Sequence, residues 1–365
     1  MKVLIVTGSS GGHIFPALSF QEALRNRKAS SLLVLPRPYT ENQALRTKEI
    51  LGAQAQVKYL SISNLKLGLG LKSFISMFRF LKGSLESISL LVSFRPDIVA
   101  GFGSINSVWL IIFSWLFRIK TLIHEQNLIP GRANRFLAIF ADKVAVSFKG
   151  TEDYLKISPK RIVFTGNPLR PGLNRVDKDK ALSFFGLHPD KFTILVMGGS
   201  LGSQRINSSF LGAVSLFTEK ESFQAIHISG ALDFPMLDKA YKELGDSIKL
   251  FSFLNQMQYA YSACDLALCR AGATTIAELI KFEVPAILIP YPFARRHQLS
   301  NAGVLETLGS CLVIKDNQLE PQMLKESLEE LMHNPDKIRF MRSGYRSLAG
   351  ANASELLANA ALALN

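Results

Sequence analysis

Along the chain, short runs of consecutive apolar residues alternate with longer stretches in which apolar positions recur every three or four residues. The first pattern marks strands buried on both faces, and the second marks helices. In the first half the strand pattern occurs at "KVLIVT", "SSLLVL", "VKYLSI", "DIVAGF", "KTLIHE", "DKVAVS" and "RIVFTG". In the second half it occurs at "FTILVMGG", "FQAIHIS", "IKLFSF", "LALCRA", "PAILIPYP" and "SCLVIK". Strands that alternate with helices predict parallel sheets of the doubly wound α/β class. No low-complexity segment or short sequence repeat interrupts the alternation.

The two halves open alike. "KVLIVTGSSGGH" begins the first, and "FTILVMGGSLGSQRIN", near Phe192, begins the second. Each is an apolar strand, a Gly/Ser turn and a helix, so each offers helix-start N–H groups to an anion. Two such domains predict a ligand held in a cleft between them. Pro and Gly cluster at "TGNPLRPGLNR", which marks the joint. The expected domains are residues 1–167 with 350–365, and residues 168–349, the last helix from about Asn352 returning to the first.

Composition narrows the partners. A length of 365 residues suits two domains at roughly 150 residues each. The formal charge of +13 calls for an anionic partner: nucleic acid, a phosphorylated substrate or an anionic membrane. Cys264, Cys269 and Cys311 form no metal-type spacing, and so sparse a set fits a reducing compartment. "MKVLIV" turns at once into Gly and Ser, as a buried first strand does and a signal peptide does not. The apolar run "VWLIIFSWLF" is too short for the ~20 residues of a spanning helix. The expected protein is soluble, or bound to a membrane at its surface.

Several strings carry candidate chemistry. "VTGSSGGHIFPAL" lacks both the dinucleotide fingerprint and the Lys of a P-loop, and it fits a bare tight turn as well as a phosphate site. In "CRAGATTIAEL", Gly272 turns the chain, and Thr274 and Thr275 are N-cap candidates. Glu278, one turn inside that helix, suits two hydrogen bonds from a ribose diol; its spacing from Thr275 also suits a capping box. "GGSLGSQRIN" offers Ser200 and successive N–H groups as a pyrophosphate cradle. "HEQNLIPGRANR" sets four polar side chains directly after an apolar strand, more than a structural loop needs. Arg170 in "TGNPLR" suits an anion near the joint or a surface salt bridge. "DKD", Asp177 to Asp179, lies among lysines and reads as a solvated helix start rather than a metal motif.

Taken together, "SGGHIFPAL", "HEQNLIPGRANR", "TGNPLR", "GGSLGSQRIN", "FLNQMQYAYSACDLALCRAGATTIAE" and "HQLSNA" stand in the order and spacing of the MurG family of peptidoglycan glycosyltransferases. The chain resembles that family over essentially its whole length. The resemblance implies the GT-B fold, two Rossmann-like doubly wound domains facing a cleft. It implies an inverting, metal-independent transfer of N-acetylglucosamine from UDP-N-acetylglucosamine to the 4-hydroxyl of a lipid-linked muramyl-pentapeptide, with no cofactor and no nucleic acid. It also implies a peripheral protein on the cytoplasmic side of the cell inner membrane. Carried over by residue, His13 is the catalytic base or a ligand of the acceptor diphosphate. Gly11, Gly12, Gly103 and Ser104 lie on the acceptor side. Glu278 takes the donor ribose, and Leu254, beside Phe253, takes the uracil. Ser200, Ala273 and Arg170 take the diphosphate, and Gln298 and Asn127 the sugar. Two turns depart from the family: Ser9 and Ser10 replace its usual Gly and Thr, and Ser104 and Ile105 replace a Gly and an aromatic residue.

In "LKSFISMFRFLKGSL" Phe74, Ile75, Met77, Phe78 and Leu81 form an apolar helix face flanked by Lys72, Arg79 and Lys82. That pattern suits a core helix with solvated edges; the lipid-linked acceptor implied by the resemblance favours docking on an anionic membrane, with "WLFRIK" widening the patch. Other readings are a GT-B transferase with another lipid acceptor, a UDP-sugar 2-epimerase, and a non-catalytic UDP-sugar-binding regulator.

Overall fold

A computed structural model describes residues 1–38, 57–61, 71–199, 201–217, 223–294, 296–348 and 350–364, with the backbone alone over 71–76. Contacts divide the chain into two units, Met1–Pro171 with Gly350–Asn365, and Gly172–Ala349.

The first unit is built on a parallel sheet of β1 (Lys2–Thr7), β2 (Ser30–Pro36), β3 (Val57–Leu60), β4 (Ile98–Phe102), β5 (Lys120–Glu125), β6 (Lys143–Val146) and β7 (Ile162–Phe164). Their order is β3-β2-β1-β4-β5-β6-β7. Alternate residues of β1 feed opposite layers. Val3 and Ile5 pack with Phe20 and Leu24, while Leu4 and Val6 pack with Leu110 and Ile111. Burial on both faces is why the strand reads as an unbroken apolar run. Strand order reverses between β1 and β4, so the loops after these two strands diverge and leave a crevice at their carboxyl ends.

The second unit repeats the plan with β8 (Phe192–Met197), β9 (Phe223–Ile228), β10 (Ile248–Phe251), β11 (Leu266–Cys269), β12 (Ala286–Leu288) and β13 (Cys311–Val313), in the order β10-β9-β8-β11-β12-β13. Its switch point lies between β8 and β11, where Met197 pairs with Cys269. Each of the thirteen runs with the strand pattern contains a strand, whereas "VWLIIFSWLF" lies almost wholly in the helix Ser107–Leu116.

The last helix, Ala353–Leu362, packs on the helix Gly11–Asn26. Ser19 Oγ and Ser354 Oγ lie 2.6 Å apart, Arg27 pairs with Glu355, and Leu357, Ala358 and Ala361 join the first unit's core. Asp177 caps the helix Lys178–Phe185, accepting from the Asp179 and Lys180 N–H groups at 3.1 Å. All three cysteines are buried free thiols. Among the described residues no helix is long and apolar enough to cross a membrane. The helix Leu71–Phe94 nevertheless leaves Met77, Phe78, Leu81 and Leu85 exposed, Phe78 by 64% and Leu85 by 69%. The side chains of Lys72, Phe74 and Ile75 lie outside the described residues.

Candidate functional site

In the first unit the chain leaves β1 through Gly8–Ser10 and enters the helix Gly11–Asn26, with Ser10 at the N-cap. Ser10 makes no side-chain cap; its Oγ lies 2.9 Å from His13 Nδ1. The family's usual Thr would also carry a hydroxyl here, so this departure keeps the polar contact. The imidazole sits between two glycines. A side chain at Gly8 would come within 3.0 Å of Nδ1, and one at Gly103 within 3.2 Å of Nε2. Gly103 and Ser104, after β4, have φ of +77° and +69°. Glycine suits that region; Ser104 enters it against the Cβ penalty, with its Oγ accepting from Asn106 Nδ2 at 3.1 Å. Burial pushes the His13 pKa below its ordinary value, and the Glu125 carboxylate partly opposes this. His13 is therefore neutral near pH 7. In the tautomer whose Nδ1–H donates to Ser10, Nε2 carries the lone pair.

Glu125 ends β5 and is 2% exposed. Oε1 accepts from Asn127 N at 2.9 Å and Asn127 Nδ2 at 3.1 Å, and Oε2 from Gly131 N at 3.0 Å and Asn134 Nδ2 at 2.8 Å. These N–H donors hold a buried anion and fold the loop around it. The Asn127 amide, expected on the donor sugar, is thus also a partner of Glu125. Asn134 Oδ1 is buried and has no hydrogen-bond partner among the described residues.

His124 ties this loop to "TGNPLR". Its Nε2–H donates to Gly166 O at 3.1 Å, and Nδ1 accepts from Gln126 Nε2 at 3.1 Å. Burial lowers its pKa to about 4. In the same segment Asn167 is buried, and neither of its amide atoms has a hydrogen-bond partner among the described residues. The Arg170 guanidinium lies 4.2 Å from the centre of the Phe15 ring, on the helix that carries His13. Gly11 is buried at the start of that helix, and Gly12 is exposed.

In the second unit the turn after β8 leads to the helix Gln204–Leu216, capped by Ser203. Ser200 lies outside the described residues. Gly202 has φ +77°, and a Cβ on it would fall 2.1 Å from Ser229 O, so the turn packs backbone to backbone on the loop after β9. Ser203 Oγ also accepts from Arg270 Nη2 at 2.7 Å. Arg270, just after β11, pairs with Asp316, donates to Ile289 O at 3.1 Å and lies 5.4 Å from the Tyr291 ring centre. It fastens the helix start to the end of β12. Sequence reasoning missed Arg270 because "LALCRA" looks like an uninterrupted strand ending.

Beyond β11 the structure corrects one expectation. The N-cap is Gly272, extended at φ −66° and ψ 145°, and the helix Ala273–Phe282 has no side-chain cap. The small residues let it start early, which puts Thr274 and Thr275 inside its first turn. Glu278 is in no capping box. It is 3% exposed, and Oε2 accepts from Tyr261 OH at 2.7 Å. Leu254 is buried in the loop after β10 with Phe253 exposed beside it, and Ala273 opens the helix. Gln298 is the second residue of the helix His297–Thr307, with Oε1 accepting from Tyr291 N at 2.9 Å. Leu254, Ala273, Glu278 and Gln298 thus fall in the second unit, on segments that follow strand ends, and Asn127 and Arg170 fall in the first. Among the described residues no three His, Cys, Asp or Glu side chains group as metal ligands would.

Two doubly wound units, each with a glycine-bearing turn at its switch point, give the GT-B fold. The glycosyltransferase family 28 N-terminal domain matches residues 3–146, and the family 28 C-terminal domain matches residues 193–356. The Acinetobacter baumannii MurG crystal structure shares the fold with a TM-score of 0.76, at 23% identity and 99% coverage of each chain. A Neisseria meningitidis UDP-GlcNAc 2-epimerase shares it at 0.69 and 16% identity, each chain being covered in full. The UDP-N-acetylglucosamine--N-acetylmuramyl-(pentapeptide) pyrophosphoryl-undecaprenol N-acetylglucosamine transferase of Halothermothrix orenii is 32% identical over 98% of both chains. Its namesake from Caldanaerobacter subterraneus subsp. tengcongensis is 34% identical over 97% of both. The chain belongs to this transferase family.

Proposed function

We propose that the protein moves N-acetylglucosamine from UDP-N-acetylglucosamine to the 4-hydroxyl of a lipid-linked muramyl-pentapeptide, inverting the anomeric carbon in one displacement. The observation that carries this reading is the near full-length kinship with transferases of that name. In it the first unit serves the acceptor and the second the donor. His13 Nε2 takes the proton of the attacking hydroxyl. Its lowered pKa favours this role over binding the acceptor diphosphate as a cation. Gly11, Gly12, Gly103 and Ser104 give the acceptor a backbone-lined approach. Glu278 accepts the ribose hydroxyls, and Leu254 frames the uracil. Ser200, the Ala273 N–H and Arg170 stabilise the leaving diphosphate, and Gln298 and Asn127 orient the sugar.

The protein acts at the cytoplasmic face of the inner membrane as a peripheral protein. Exposed Met77, Phe78, Leu81 and Leu85, with Trp115 and Leu116, support this reading. Each cation near an anionic surface adds about 1 kcal/mol. The triple variant Lys72→Glu, Arg79→Glu and Lys82→Glu should leave anionic vesicles in a flotation assay; unchanged binding counts against docking. The activity itself is tested with purified protein, UDP-N-acetylglucosamine and a short-chain lipid-linked muramyl-peptide. Disaccharide product is expected. Nucleotide binding without product, or an epimerised sugar, would point to the regulator or the epimerase.

A further inference from the structure

We propose that Tyr261 is a positioning residue for the donor: its phenol holds the Glu278 carboxylate in the orientation that receives the ribose diol. The inference rests on the ribose role proposed for Glu278.

Tyr261 belongs to the helix Met257–Ala263 and is fully buried. Its ring stacks on Phe282 with centroids 5.2 Å apart and planes at 27°. Phe282 ends the helix that carries Glu278, so ring and carboxylate are fixed to the same element. The hydroxyl donates to Glu278 Oε2 at 2.7 Å and lies 3.8 Å from Met197 Sδ, at the end of β8. One phenol thus meets the end of β8 itself and the helix that follows β11.

A glutamate has three side-chain torsions, and a buried carboxylate without a fixed donor would spread over several of them. A lysine or arginine in the place of Tyr261 would fix it too, but by neutralising it and occupying both oxygens. A phenol fixes the carboxylate and leaves it anionic. The phenol itself takes one acceptor position of the roughly four that two carboxylate oxygens offer, where a bidentate guanidinium takes two. The ribose is remote from the bond that breaks, so its grip is the same in the ground and transition states. Loosening it raises KM and leaves kcat alone.

The test compares wild type, Tyr261→Phe and Glu278→Gln with UDP-N-acetylglucosamine and with its 2′-deoxyuridine analogue. Tyr261→Phe should raise the donor KM by about tenfold, the equivalent of 1.4 kcal/mol. It should keep kcat within about twofold and shrink the preference for the ribose donor. An unfolded fraction lowers the apparent kcat but not KM or the donor ratio, so partial misfolding does not mimic this result. Wild-type KM and donor preference in Tyr261→Phe, with a raised KM in Glu278→Gln, would overturn the inference and leave the ribose role standing. Wild-type KM and preference in Glu278→Gln would overturn the ribose role itself.

Discussion

In the first unit, the turn after β1 opens a helix whose third residue is His13, within the field of the buried Glu125 carboxylate. In the second unit, the turn after β8 opens a helix whose cap, Ser203, is bound by the Arg270 guanidinium. Strand, turn and helix are laid out alike, and both helix starts favour anions. The side chains beside them differ in kind. His13 is neutral and can take a proton; arginine stays charged at any working pH and cannot. The backbone plan therefore supplies what the two turns share, and one or two side chains decide whether a turn carries a neutral base or a paired cation.

The strongest challenge to that division is His13→Ala. Loss of a general base should cut turnover by about 10²–10⁴-fold while donor affinity stays near wild type. Parallel kcat measurements and donor titrations check this, and an equal collapse of donor affinity would break the division. Next in size is Arg270→Met, which strands Asp316 and removes the Ser203 donor. Breaking such a largely buried pair costs about 3 kcal/mol. The chain's two tryptophans, Trp109 and Trp115, lie in the first unit. In urea, circular dichroism should therefore show the second unit melting earlier while tryptophan fluorescence moves less. A shift confined to fluorescence would contradict the placement.

Per pH unit and per histidine, a smaller effect comes with acid. Burial lowers His124 to about 4 in the first unit and His227 to about 3 in the second. His227 Nε2–H donates to Asn207 Oδ1 at 3.0 Å, and Nδ1 accepts from Tyr241 OH at 2.7 Å, so protonation would reverse the Tyr241 bond and leave the phenol proton without this acceptor. Below about pH 6.5 the unfolded chain binds protons that these folded histidines refuse. Stability should fall as pH drops, by about 1.4 kcal/mol per pH unit for each histidine, down to its folded pKa. His227→Gln should flatten the circular dichroism dependence between pH 4 and pH 3 more than the tryptophan one. Smallest is Ser104→Gly, which relieves a left-handed residue at φ +69°. It should stabilise the first unit by up to about 1 kcal/mol, read by tryptophan fluorescence in urea. A loss of stability would mean that the Asn106 contact outweighs the strain.

The sheets were legible because strands covered on both faces cannot hide their apolar residues. The positions of His13 and Glu278 were legible because a turn and a helix start fix them locally. Their surroundings were not. Glu125 is held by donors from residues 127, 131 and 134, and a polar cluster does not say which member folds back on which. The cap at Gly272 escaped because threonine has the better cap chemistry, and only the backbone shows that the helix starts before it. Tyr261 sits in a stretch that reads as ordinary core.

The helix Ala353–Leu362 completes the core of the unit in which the chain begins. During synthesis its residues emerge after those of the second unit. A nascent chain that has emerged as far as residue 349 holds every strand of the second unit and an unfinished first one, with the flank of the His13 helix that receives Leu357, Ala358 and Ala361 still wet. The first unit is thus begun before the second and closed after it.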